Sequence, residues 1–142
     1  MTYHFSNRVP KSDVDPVGDI LKVAGDPKVM SFAGGLPAPE LFPVEQVKKA
    51  ADAVFDQKGR AALQYGSSQG VPELRQVILD RVKVEGIETD ADHVMVATGS
   101  QQSIDLTGKM FLDEGSVVIV EDPTYLTAVD VFGSYGARFV KD

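Results

Sequence analysis

The stretch HVMVATGSQQSIDLTGKMFLDEGSVVIVEDPTY, residues 93 to 125, decides the fold. Its opening, His93 to Ala97, is rich in branched or long apolar side chains and holds no turn former, which suits a buried strand. Thr98-Gly99-Ser100-Gln101-Gln102 then suits a tight turn into a helix. The spacing predicts that helix over about Gln101 to Leu112. Gly115 stands where a left-handed cap would stop it. The run SVVIV from Ser116 supplies a second strand, apolar on both faces as a parallel sheet covered by helices requires. Glu121-Asp122-Pro123-Thr124-Tyr125 ends that strand. Successive parallel strands would bring the Gly99 and Pro123 turns to one carboxyl edge, where open α/β sheets bind ligands.

The groups at those turns say what kind of ligand. The first offers free backbone N–H groups at a helix start, the hydroxyls of Thr98 and Ser100, and the amides of Gln101 and Gln102, where the helix dipole favours negative charge. That is a cradle for a phosphate. The second places the aromatic ring of Tyr125 a few residues beyond its strand, where it could lie against a flat ring held by that phosphate. Together they point to a phosphorylated cofactor with a planar ring.

Four blocks, in order, carry a family resemblance: SFAGGLPAPELFP at 31 to 43, ALQYGSSQGVPELR at 62 to 75, TGSQQSIDL at 98 to 106, and the EDPTY turn. Together they resemble the fold-type I pyridoxal-phosphate aminotransferases, nearest to the branch of 2-aminoadipate and aromatic or kynurenine transaminases. The resemblance implies an α/β fold: the beginning of a doubly wound parallel-sheet large domain over residues 43 to 142, preceded by an irregular arm and substrate-side loop over residues 1 to 42. It also implies transfer of an amino group between an amino acid and a 2-oxo acid, with 2-oxoglutarate as acceptor and pyridoxal 5′-phosphate as cofactor. Gly99, Ser100 and Gln101 would hold the cofactor phosphate and Tyr125 would stack on its ring. Tyr65 would reach the phosphate of the partner chain in a homodimer, and Gly34 and Gly35 would let backbone approach the substrate carboxylate.

The same resemblance says what to expect of the chemistry. The family's Schiff-base lysine, the aspartate on the pyridine nitrogen, the asparagine and tyrosine on the ring hydroxyl, and the arginine for the substrate carboxylate all lie downstream of the matched blocks. No catalytic residue is therefore assigned within residues 1 to 142, and the chain alone is expected to be inactive, with sheet edges left for further elements. Family members also use an arginine near the start of the arm's helix. Val17-Gly18-Asp19-Ile20 has none, and Arg8 lies too far upstream to replace it.

Composition bounds the rest. With 142 residues, one domain with a modest buried core is expected. Fourteen basic against 21 acidic residues give a formal net charge of −7, which disfavours nucleic acid and anionic membranes. There is no cysteine, hence no disulfide framework, and no apolar run long enough to span a bilayer. The start lacks a signal peptide's layout, so a cytoplasmic protein is expected. His4 and His93 form no cluster, so no metal site is expected.

Along the chain, Pro10, Ser12, Asp13, Asp15, Pro16 and Gly18 leave only Ile20 to Ala24 as a helical turn or two. Gly34-Gly35 with three prolines reads by itself as a rigid linker; only the resemblance makes it a site. Pro43 to Gln57 reads as a helix with Val44, Val47, Ala51, Val54 and Phe55 on one face, and Lys48 and Lys49 as a solvated pair. A second helix starts at Pro72, carries Leu74, Val77, Ile78 and Val82 on its apolar side, and ends before Gly86. Arg75 within it reads as structural. A short helix follows Tyr125, and Ala137 to Val140 reads as a third strand.

Two other readings stand beside the first. One is a catalytically incomplete remnant or accessory chain that at most binds the cofactor; a specific lysine adduct on borohydride reduction argues against it. The other is a dinucleotide-binding unit, since Glu121 follows Gly99 at about the spacing of a ribose-binding acid. That turn has one glycine where G-x-G-x-x-G needs three.

Overall fold

The computed structural model describes residues 3–9, 16–26 and 28–142, so the expectations placed on Pro10 to Asp15 lie outside the described residues. The chain divides into two compact units, Met1–Asp19 with Val96–Asp142, and Ile20–Met95. Helix α1 (Pro16–Ala24) runs across the point where the first unit passes into the second, and is longer than the turn or two expected.

The second unit is built on two helices. α2 (Val44–Lys58) starts on Pro43, whose ring fixes a φ suited to a helix start, and stops at Gly59, whose φ of 46 continues no helix. α3 (Pro72–Val84) has proline in its first turn and Glu73 on the dipole's positive end. It closes as expected at Gly86 (φ 81), with the Gly86 and Ile87 N–H groups donating to Lys83 and Val82. Arg75 is nearly enclosed, its side chain 11% exposed, and donates to the Gln69 side chain (3.3 Å) and the Ala91 carbonyl. It ties α3 to the loops on either side, which is the structural role its position suggested.

The first unit carries the sheet. α4 (Gly99–Phe111) starts two residues earlier than the periodicity suggested, and β1 (Val117–Val120) follows. α5 (Leu126–Ser134) crosses back, and β2 (Arg138–Lys141) lies parallel to β1, with Val117 opposite Arg138 and Val120 opposite Lys141. One βαβ unit is thus complete. Gly115 is left-handed (φ 84), as expected of a cap, but it is not the helix cap: α4 ends at Leu112 in extended backbone. Gly115 instead serves the turn into β1, and its N–H donates to the Gly136 carbonyl at 2.8 Å, joining the turn before β1 to the turn before β2.

Two expectations fail. The strand read at His93 to Ala97 is not one: Ala91–His93 is a 3₁₀ turn, and Val94 is extended (φ −119, ψ 127) with no ladder partner among the described residues. A strand exists only where a neighbour completes its hydrogen bonds, and the two-stranded sheet is β1 and β2 alone. The modest core is also missing. No hydrophobic side chain among the described residues is buried. The apolar face of α2 leaves Val47 62% exposed, and Ile119 in β1 is 73% exposed, so one face of the sheet is uncovered. The strand was read as apolar on both faces of a covered sheet and α2 as apolar on one face; a single βαβ unit has helices for only one side of its sheet.

Candidate functional site

Hydrogen-bond accounting at the start of α4 leaves backbone donors open among the described residues. Four N–H groups at a helix start have no intrahelical acceptor. Here the first, on Thr98, donates to the side-chain oxygen of Gln102, one turn on. The N–H groups of Gly99, Ser100 and Gln101 have no acceptor among the described residues. Gly99 has φ +75, a conformation L side chains rarely adopt, although a Cβ there would meet nothing within 4 Å. Glycine is needed for the turn, not for space. No acid stands in the first turn of α4, whereas α2 and α3 carry Glu45 and Glu73 there. The positive end of the α4 dipole therefore has no acid of its own first turn beside it, and Ser100 and Gln101 there are exposed.

The second turn follows β1 through a cis Asp122-Pro123 bond, with Asp122 paired to Lys141 at 2.9 Å. Tyr125 caps α5 from extended backbone, its carbonyl accepting from Ala128 at 3.0 Å, and its side chain is half exposed. Because β1 and β2 are parallel, α5 begins at their carboxyl edge. The C-terminal turns of α4 and α5 are tied together at the opposite edge by Gly115 and Gly136. The two helices therefore run side by side in one direction, and both N-termini come to the carboxyl edge. Gly99, Ser100 and Gln101 at the start of α4 and Tyr125 at the start of α5 thus lie at the same edge of the sheet, an arrangement set by paired helices and not by two neighbouring strands.

The helices are locked by residues that sequence reading missed. The Tyr135 hydroxyl donates to Asp105 at 2.9 Å, and the bond to that carboxylate holds the phenol above its ordinary range. Gly108, one turn further along α4, is buried beneath the Tyr135 ring, and the Arg8 guanidinium lies 5.5 Å from the ring's centroid. Asp105 and Gly108 sit three apart, hence on one helix face, and that spacing was the available signal.

In the second unit, Gly34 (φ 83) and Gly35 (φ 57) are both left-handed and exposed, so their carbonyl and N–H groups are accessible. Tyr65 is fully exposed, and its N–H donates to the Gln64 side chain at 2.8 Å. His93, expected to be solvated or satisfied, pairs with Asp90 at 2.7 Å, and that bond with the Asp92 N–H holds the Asp90 carboxyl below its usual range. Among the described residues no three metal-ligating side chains gather, and no helix is long and apolar enough to cross a membrane.

Comparison with known proteins places these features in context. The family profile described as aminotransferase class I and II matches residues 27–141. The chain is 40% identical over 136 residues to the 2-aminoadipate transaminase of Thermus thermophilus, covering 96% of this chain and 33% of that protein. It is 35% identical to the aromatic-amino-acid aminotransferase 1 of Thermococcus litoralis, covering 97% and 33%. Among solved structures, the kynurenine aminotransferase of Pyrococcus horikoshii superposes with a TM-score of 0.85 at 34% identity, covering 96% of this chain and 34% of that one. The α-aminoadipate aminotransferase of Thermus thermophilus, solved with N-(5′-phosphopyridoxyl)-L-leucine, gives 0.81 at 39% identity, covering 96% and 33%. The chain thus spans about a third of the length of the curated relatives it matches.

Proposed function

The chain belongs to the aminotransferase class I and II family, and from that premise we propose that it supplies the phosphate cradle and ring stack of a pyridoxal-phosphate-dependent transaminase. Its fold is the opening part of a fold-type I large domain. The observation that carries the proposal is the set of three N–H groups, at Gly99, Ser100 and Gln101, without an acceptor among the described residues, at a helix start without an acid. A phosphate dianion fits that set in charge and in donor number.

Pyridoxal phosphate, when bound, supplies an electron sink for the substrate's α-carbon. This chain's residues bind and orient it. The three N–H groups and the Ser100 hydroxyl would hold the phosphate, the Gln101 amide would add a further donor, and the Tyr125 ring would stack on the cofactor ring. In our reading the backbone at Gly34 and Gly35 approaches the substrate carboxylate, and Tyr65 reaches a partner's cofactor phosphate in a homodimer. Residues 43 to 142 begin the large domain, with residues 1 to 42 as arm and substrate-side loop. The amino donor is of the 2-aminoadipate, aromatic or kynurenine kind, by analogy with the relatives, with 2-oxoglutarate as acceptor in the cytoplasm.

The test is titration of the protein with pyridoxal phosphate, followed by absorbance, before and after a Ser100→Ala, Gln101→Ala double substitution. Hydrogen bonds to a charged group contribute about 1.5 to 3 kcal/mol each, so the double variant should bind at least about tenfold more weakly. Unchanged affinity would sink the assignment.

A further inference from the structure

We infer that Tyr135, Asp105 and Gly108 form a positioning joint that sets the separation between the Ser100 cradle and the Tyr125 ring, an inference that rests on the proposed cofactor site. The joint lies at matched heights on two parallel helices. Asp105 and Gly108 are six and nine residues past Gly99, and Phe132 and Tyr135 are six and nine past Leu126. At 1.5 Å per residue, both N-termini stand roughly 9 to 14 Å from the joint, along the same direction. Three contacts hold it. The Tyr135 hydroxyl donates to Asp105, thirty residues earlier. The ring sits where a side chain on Gly108 would be, so it packs directly on the α4 backbone there. Arg8, from the N-terminal segment, lies over the ring.

None of these groups can touch a ligand at the far end of the helices, so they act through α4 and α5. A ligand that needs only one helix end would be insensitive to the spacing. One that carries both a phosphate and a ring must meet Ser100 and Tyr125 at once, and its affinity depends on the joint.

The experiment compares the affinities of the protein for pyridoxal 5′-phosphate and for pyridoxal in four forms: unsubstituted, Tyr135→Phe, Asp105→Ala and Asp105→Asn. Tyr135→Phe keeps the ring and removes only the hydroxyl, so the fold survives; circular dichroism checks each form. Tyr135→Phe and Asp105→Ala should weaken pyridoxal phosphate binding roughly two- to thirtyfold, the range for residues acting through a packed network, while pyridoxal binding changes little. Asp105→Asn retains an oxygen that accepts from the Tyr135 hydroxyl and should bind like the unsubstituted protein. Equal weakening of both ligands, or none in Tyr135→Phe, would overturn the positioning role. If Ser100→Ala, Gln101→Ala loses affinity while Tyr135→Phe does not, only the joint is refuted. If the unsubstituted protein does not distinguish the phosphate, the cofactor site and the joint fall together.

Discussion

Replacing Gly108 with alanine sets two known effects against each other. In the middle of a helix, glycine costs about 1 kcal/mol relative to alanine, so Gly108→Ala should stabilise if propensity alone acts. The new methyl would stand 2.9 and 3.0 Å from two ring carbons of Tyr135 and 3.2 Å from a ring carbon of Phe132. Those are ring atoms, not the free end of a flexible chain, and the Tyr135 ring is held by Asp105 on one side and Arg8 on another. Overpacking of this kind costs roughly 1 to 3 kcal/mol, and here the upper half of that range applies because the ring cannot yield without losing its bond. The net is a destabilisation of about 1 to 2 kcal/mol, or a melting midpoint roughly 3 to 10 °C lower for a chain of this size. Thermal unfolding followed by circular dichroism measures it. Gly133→Ala is the control: it too lies in a helix, but a methyl there meets only Phe139, at 4.0 Å, so the propensity gain should appear unopposed. A Gly108→Ala protein that melts at or above the unsubstituted one would refute the packing of the Tyr135 and Phe132 rings on α4 at Gly108.

Two further substitutions probe the site and the joint. Ser100→Pro removes one cradle N–H at a helix position where proline is tolerated, so phosphate affinity should fall well below that of Ser100→Ala while the helical signal is kept; equal affinities would show that the N–H is not used. The hydrogen bond to the Asp105 carboxylate raises the Tyr135 phenol above its ordinary value of about 10, so the folded form holds the proton more tightly than the unfolded chain. That contribution is fully present below about pH 10 and is lost as pH rises through the folded value. Stability measured by urea unfolding should therefore drop more steeply above pH 10 in the unsubstituted protein than in Tyr135→Phe, and parallel profiles would contradict the bond.

What could be read from the sequence was what is settled locally. Pro72 and Gly86 bracket α3, and Gly99 with the periodicity after it places α4, because caps and turns depend on residues a few positions away. The open donors at the start of α4 were legible for the same reason: they belong to one helical turn. The segment at His93 to Ala97 was misread because its apolar content says nothing about whether a partner strand lies alongside. Gly115 was assigned the correct conformation and the wrong element, since its partner Gly136 is 21 residues on and invisible to local pattern. The Tyr135–Asp105 bond and the Arg8 contact span still longer separations, and nothing in residue type alone pairs them.

The central claim is that the start of α4 binds the phosphate of a pyridoxal cofactor, and the most direct measurement is the ratio of affinities for pyridoxal 5′-phosphate and pyridoxal, with inorganic phosphate as competitor. Both ligands carry the same ring and aldehyde, so the ratio isolates the phosphate. Three charge-assisted N–H bonds predict pyridoxal phosphate tighter by at least about a hundredfold, with inorganic phosphate reducing that advantage. Equal affinities, unmoved by inorganic phosphate, would contradict it.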